Sequence, residues 1–285
     1  MRGLEFGNYP ELYDAHRPHY RDGLENQIID LCVERARFIG GTVLEIGLGT
    51  GLGTEALLSR NISVVGIEPD DRMLAIARQR LGDRLVETEE EFNDRSRSGE
   101  AVVRVIKNTF GKAVKCGELT GSYDGVAAFT SIHWVIQECG LEQASAIIAG
   151  ALQPHGRLAI VRNPISSRTK KSAQFVRDSQ HFWPPSYMSD HPQRHLIGLR
   201  RVENISPHDL SPHLAPVCYD TWTVEEELPI DDFLQRNRTY WEMLELDENV
   251  RERFLEDYRA LSQEKYNGIV PVARGITLQV DEKIS

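Results

Sequence analysis

Val43-Leu44-Glu45-Ile46-Gly47-Leu48-Gly49-Thr50-Gly51-Leu52-Gly53-Thr54 is the stretch whose reading decides the fold. Three apolar residues and an acid run into a glycine-rich turn, and Gly53 to Ser59 reads as the start of a helix. The unit is a buried strand, a tight loop and a helix N-terminus. Such a unit binds an anionic or polar ligand head, because glycines let the backbone approach closely and the free helix N–H groups point outward. The spacing Gly47-x-Gly49-x-Gly51 differs from the G-x-G-x-x-G dinucleotide pattern. Gly51-x-Gly53-x-x-Ala56 partly imitates that pattern but begins too late after the strand, which sets an oxidoreductase aside. A second apolar strand, Val64-Val65-Gly66-Ile67, ends in Glu68, seventeen residues after Gly51. An acid there can accept both ribose hydroxyls of a nucleoside lying across the strand ends.

Glu45 to Gly51, taken with Glu68, resembles motif I and the ribose acid of the class I S-adenosylmethionine (SAM) dependent methyltransferases. The resemblance implies an α/β, Rossmann-like fold: a seven-stranded, mostly parallel sheet with helices on both faces and a lid insertion. It implies SAM as cofactor, with S-adenosylhomocysteine as product, over Glu45, Gly47, Gly49, Thr50 and Gly51. Glu68 is then on the ribose, with Pro69 among the cofactor-binding residues and Met73 near the adenine; the alternative for Met73 is plain core. Relatives commonly place an aspartate for the adenine amino group where this chain has Thr109. Asn108 or the backbone is the substitute, and Phe110 packs against the ring.

The N-terminal Tyr13-Asp14-Ala15-His16-Arg17-Pro18-His19-Tyr20 is similar to a segment of the trans-aconitate methyltransferase-like, or methyltransferase type 11, group. The likeness implies a segment folded over the cofactor, in which an aromatic or basic group reaches the methionine carboxylate, with Arg17 assigned to the cofactor or else holding a carboxylate nucleophile, Tyr13 near the chemistry and His16 near the substrate. A surface arm whose tyrosines merely pack on the domain is the other reading. Thr130-Ser131-Ile132-His133-Trp134, after the strand Tyr123–Phe129, again resembles that group. Ligands bind beyond the carboxyl ends of parallel strands, so Thr130 is assigned to the cofactor, His133 to catalysis as a base and Trp134 to the substrate. His133 as a structural histidine stays open. At the end of the fifth strand, Arg157–Val161, Arg162 either clamps a carboxylate through two parallel hydrogen bonds or forms a surface salt bridge, and Asn163 faces the substrate. Tyr240, within Arg238-Thr239-Tyr240, resembles a stretch that some relatives carry near the active site.

The 285 residues suffice for one large α/β domain with insertions or a small lid. No apolar run approaches the roughly 18 residues that span a bilayer, and no leader pattern opens the chain, so a cytoplasmic protein with no membrane partner is expected. Cys32, Cys116, Cys139 and Cys218 show no C-x-x-C and read as reduced thiols. A formal charge of -10 repels phosphate backbones, so a small-molecule substrate is expected and no nucleic acid. DNA-base methylation also lacks its Asn-Pro-Pro-Tyr motif; Asn163-Pro164 has neither the second proline nor the aromatic. His191 and His195 are separated by Pro192 and lack the acid of H-E-x-x-H, so no metal is expected. The oligomeric state is left open, a homodimer included.

Asp22 to Arg37 reads as an amphipathic helix, with Asp22 and Glu25 as a capping-box-like start. Residues 87–100 are highly charged and read as a solvated loop. Pro154-His155-Gly156 reads as a turn, Ser172 to Phe182 as a helix stopped by Trp183-Pro184-Pro185, and Ile230 to Leu246 as one helix. Asp247 caps another, closed by Asn267-Gly268. Strands are expected at Val102–Ile106, Cys218–Leu228 and around Ile276–Val280. The organisation is 1–21 as an N-terminal lid segment, 22–164 as the SAM-binding core, 165–216 as a substrate-cover insertion and 217–285 as the C-terminal part of the core. The functional expectation is methylation of a small metabolite or natural product in secondary metabolism, O-methylation slightly preferred. The alternative is a SAM-binding protein of the same fold that catalyses a cyclisation or rearrangement, or whose site is degenerate.

Overall fold

In the computed structural model, residues 7–17, 19–119, 122–163, 165–166, 169–182, 210, 212–244 and 246–284 are described. The decisive stretch forms β1 (Thr42–Ile46), buried on both faces, as expected of a parallel strand covered by helices above and below. Before it come α1 (Pro10–His16) and α2 (Gly23–Ala36). After it follow α3 (Leu52–Leu58), β2 (Ser63–Ile67), α4 (Asp71–Leu81), β3 (Leu85–Val86), α5 (Glu89–Arg97) and β4 (Val103–Ile106). The second half of the core is α6 (Phe110–Lys115), β5 (Tyr123–Phe129), α7 (Ile132–Cys139), α8 (Leu141–Ala151) and β6 (Leu152–Arg162). The remainder is β7 (Ile165–Ser166), α9 (Lys170–Ser179), β8 (Leu214–Pro229), α10 (Ile230–Arg238), α11 (Trp241–Leu244), α12 (Glu248–Tyr266) and β9 (Ile269–Lys283).

The strands form one sheet in the order β3-β4-β2-β1-β5-β6-β9-β7, with β8 also on β9. Pairings from β3 to β6 are parallel and those of β9 antiparallel. Nine strands are therefore seen among the described residues where seven were expected; the extra two, β3 and β7, are two residues long. One face carries α2, α3 and α4 on a core with Ile28, Leu57, Leu74 and Val64. The other carries α5 to α8 on Phe92, Phe110, Ile132 and Ile148. A third, aromatic core of Phe175, Phe233, Phe254 and Tyr258 joins α9, α10 and α12.

Several sequence readings are corrected. Residues 87–100 contain helix α5: the Thr88 hydroxyl accepts from the Glu91 N–H, Glu89 to Glu91 fill the first turn, Arg95 and Arg97 the last, and Phe92 is buried. The charges that suggest a loop thus serve the cap and the helix dipole. The helix read over 230–246 breaks at Thr239, whose hydroxyl donates to the Arg236 carbonyl at 2.6 Å while its own carbonyl accepts from Arg17. Asp22 makes no side-chain cap, and Glu25 instead accepts from the buried Arg274 guanidinium at 2.5 Å. The turn at 154–156 is a bulge inside β6, where His155 takes a φ of 63° and the register to β5 shifts. Trp183-Pro184-Pro185, His191 and His195 lie outside the described residues.

The N-terminal segment is held by charge more than by apolar burial, since α1 buries only Pro10. Arg80 of α4 donates to both carboxylate oxygens of Asp14 at 2.6 Å, to Glu55 of α3 at 3.1 Å and, through Nε, to the Thr50 carbonyl at 3.1 Å. One largely buried guanidinium therefore ties the arm to the glycine loop and the helix that follows. Substituting Arg80→Met strands the Asp14 carboxylate. Amide exchange over residues 10–17 is then expected to speed up about tenfold or more, as follows from losing a part-buried charge pair.

Candidate active site

The three glycines of the loop have φ of 71° at Gly47, 60° at Gly49 and 84° at Gly51, the last being the N-cap of α3. Beyond the carboxyl ends of β1, β5 and β6 opens a cleft lined by the loop and by Tyr13, Arg17, Tyr20, Glu45, Phe129, Thr130 and Asn163. The tertiary structure thus brings together Tyr13, Arg17, Glu45, Gly47, Gly49, Thr50, Thr130 and Asn163 of the residues proposed from sequence. Tyr240 joins them through Arg17, whose guanidinium lies 4.7 Å from the Tyr13 ring centre and 4.6 Å from that of Tyr240. Arg17 also donates to the Thr239 carbonyl at 2.8 Å. Aromatic faces on both sides and a carbonyl fix this cation at the cleft wall.

The acids of the site are unusual. Glu45 is buried, accepts from the Thr54 hydroxyl at 2.6 Å, and burial pushes its carboxyl up to about 8. Glu68 turns onto the loop: its two oxygens accept from the N–H groups of Gly49 and Asp70, each at 2.9 Å. Burial nevertheless pushes Glu68 up to about 7, against the pull of those two donors. Met73 packs under the loop, its terminal carbon 3.7 Å from where a side chain on Gly49 would begin. Pro69 is half-buried between Glu68 and α4.

Other proposed residues fall outside the cleft lining. Thr109 is the N-cap of α6, accepting from the Lys112 N–H at 3.4 Å while its hydroxyl donates to Glu138 at 2.7 Å; Glu138 also accepts from the Gly111 N–H. Threonine in place of the usual acid has this structural use. Thr109→Ala is expected to cost about 1 kcal/mol of stability, read as a lower denaturation midpoint. Asn108 donates to Glu118, and Phe110 is buried in the core. His133 and Trp134 begin α7 with ring centres 4.4 Å apart. Burial first, then the charges of Arg162 and Arg17, lower His133 to about 4. Arg162 is 5% exposed and donates to Gln279, which in turn donates to Asp281, so a surface salt bridge is ruled out for it. His16 closes α1. Gly51 and His16 do not line the cleft.

Outside the loop, the sequence reading missed two wall residues. Tyr20 is buried against Phe129, ring centres 5.3 Å apart, and its hydroxyl accepts from the Asn163 amide at 3.2 Å. Tyr20 ends the quoted N-terminal pattern and Phe129 ends β5, which are the signals that could have found them. Three buried polar atoms of the wall have no hydrogen-bond partner among the described residues: Arg17 Nε, Thr50 Oγ1 and Asn163 Oδ1. An unmade buried hydrogen bond costs roughly 1–3 kcal/mol, so this wall suits a polar ligand offering both donors and acceptors. No group of three or more metal-ligating side chains occurs among the described residues, and none of their helices is long and apolar enough to cross a membrane.

Residues 44–158 match the family described as "Methyltransferase domain". An uncharacterized methyltransferase of Anoxybacillus flavithermus is 37% identical over 83 residues, which is 27% of this chain and 38% of that protein. The chain thus spans about two fifths of the length of that curated relative. A candidate type II methyltransferase from Anaeromyxobacter dehalogenans superposes with a TM-score of 0.57 at 16% identity, covering 94% of this chain and 97% of that one. The [4+2]-cyclase SpnF superposes with a TM-score of 0.51 at 14% identity, over 98% and 94% of the two chains. Both likenesses are of fold. The glycine loop, the end of β1 and strands β2 to β5 thus lie within a stretch, residues 44–158, that matches a methyltransferase domain, and the sheet around them has the fold of the superposed methyltransferase.

Proposed function

We propose that the protein is a SAM-dependent methyltransferase acting on a small-molecule metabolite or natural product, with transfer to oxygen preferred. The observation that carries the reading is the cleft over the glycine loop, with three orphaned polar atoms in its wall and Glu68 at the end of the neighbouring strand. These residues fit SAM: Glu68 takes the ribose hydroxyls, Met73 lies on the adenine side, and Arg17 with Thr50 answers the amino-acid end. When bound, SAM supplies a methyl group on a sulfonium, already a good leaving group. The chain's own task is then alignment and exclusion of water. His133, held near 4, is neutral at pH 7 and a weak base, so it serves as a hydrogen-bond acceptor more than as a proton store.

Titration calorimetry with SAM and, separately, with NADH tests this reading. Micromolar SAM binding without NADH binding is expected, and absence of SAM binding sinks it. The second reading, a fold relative that binds the cofactor without transferring methyl, is favoured by Thr109 being spent on a helix cap. SAM binding with no release of S-adenosylhomocysteine across a panel of acceptors would select it.

A further inference from the structure

Strand β8 runs for 16 residues and pairs along its length with β9. β6 and β7 occupy the other side of β9, so β8 is the edge of the sheet, and among the described residues no strand pairs with its second side. Unpaired N–H and C=O groups along such an edge are a template for another strand, and proteins blunt them with lysine, proline or bulges. Here the bulge between Pro216 and Cys218 and the proline at 229 mark only the ends. Val217 to Leu228 contains no lysine, arginine, proline or glycine, and its first eight residues are dense in β-forming side chains. One face of the strand is already used. Cys218, Trp222 and Val224 pack on the core beneath α2, Asp220 pairs with Arg35 of α2, and Glu226 accepts from Arg236 and Arg274. The other face, with Val217, Tyr219, Thr221, Thr223, Glu225 and Glu227, is exposed, Val217 to 43% and Tyr219 to 42%.

We propose that this edge is where two copies of the chain associate, their β8 strands pairing antiparallel about a two-fold axis at Thr221. Directly opposed residues of an antiparallel pair share a face, so the axis passes through a residue and not between two. The charge pattern then chooses among the positions from Asp220 to Glu225. An axis at Asp220 or at Glu225 sets that acid against its own copy, and one at Thr223 sets Asp220 against Glu226. An axis at Trp222 or Val224 avoids this but opposes the exposed Tyr219 to Glu225 or to Pro229. With the axis at Thr221, Thr221 faces its own copy, Tyr219 faces Thr223, and Val217 lies along the stem of Glu225. Threonine pairs and aromatic–β-branched pairs are favourable across strands, and in this register no acid faces another. The pairing continues the sheet from one copy into the next, and the exposed valine and tyrosine gain cross-strand neighbours. The formal charge of -10 on each copy opposes approach, a repulsion that physiological salt largely screens.

Sedimentation equilibrium at about 1–100 μM protein and about 0.15 M salt tests the proposal. The native chain is expected to reach twice the chain mass within that range. Thr221→Lys and Thr221→Glu each set like charges face to face across the axis. Each should raise the dimer dissociation constant about tenfold, with circular dichroism unchanged at this exposed position. An equimolar mixture of the two variants should regain a dimer of native strength or better, since lysine then faces glutamate. In the native chain, alternate amides of Val217 to Glu225 should exchange with solvent more slowly as protein concentration rises, a measurement that needs no variant. A native chain that stays monomeric throughout the range overturns the proposal. So does a dimer indifferent to both substitutions, or exchange over these residues that ignores concentration. A dimer lost in both variants and not regained on mixing overturns the axis at Thr221.

Discussion

Alanine at position 47 is expected to weaken S-adenosylhomocysteine binding about a hundredfold, with the native circular dichroism retained. Gly47 holds a φ of 71°, a conformation that costs an L-residue roughly 1–2 kcal/mol. A methyl group there would stand 2.7 Å from Ser131 Cβ, and Ser131 donates its hydroxyl to the Ile46 carbonyl at the end of β1. Relief requires the loop to turn over or that hydrogen bond, worth about 1 kcal/mol, to break. Together these terms favour other loop conformations by about 3 kcal/mol, and affinity falls with the population of the competent one. Gly82→Ala is the control: its φ is 53°, but nothing lies within 4 Å of the added carbon at this C-cap of α4. It should lower the unfolding temperature and leave binding intact. Unchanged binding in the Gly47 variant would show that the ligand does not sit on this loop.

The second large effect is of pH, through Glu68. A ribose diol donates two hydrogen bonds and so binds the ionised carboxylate, while burial in the ligand-free protein raises that carboxyl to about 7. Above pH 7 no proton need leave on binding. Below it one must, and affinity is expected to fall toward tenfold per pH unit. Stability runs the other way. The folded value lies above the ordinary 4.5, so the contribution of Glu68 is complete below pH 4.5 and is lost as pH rises through 7. Thermal unfolding across pH 5 to 8 should show the ligand-free midpoint falling while the ligand-induced increment grows. Glu68→Gln, with one acceptor oxygen for two donors, should flatten the pH dependence of the ligand increment, remove the Glu68 share of the stability trend while that of Glu45 remains, and cost about ten- to a hundredfold in affinity at pH 8. A ligand increment independent of pH in the native chain would remove Glu68 from the ribose.

The glycine loop, the two strands beside it and the acid at Glu68 were legible because each is a local signal. An apolar run sets a buried strand, and glycine spacing sets a backbone that no other residue adopts cheaply. Helix α5 escaped because its only apolar anchor is Phe92, and its charges look like a solvated loop until Thr88 is seen to cap them. The use of Thr109 depends on Glu138, twenty-nine residues later, and the fate of Glu25 on Arg274 at the other end of the chain. Spacing carries no trace of either.

The sequence by itself determined the class of fold, the loop and most of the residues that face the cleft, because period, glycine and strand-end position are written along the chain. Only the tertiary structure decided their chemical state and company. It placed Arg17 between Tyr13 and Tyr240, buried Glu45, Glu68 and His133 far enough to move their protonation, and joined Tyr20 to Asn163 across 143 residues. Desolvation and long-range hydrogen bonding are properties of the packed chain, and they come into being only when distant segments exclude water together.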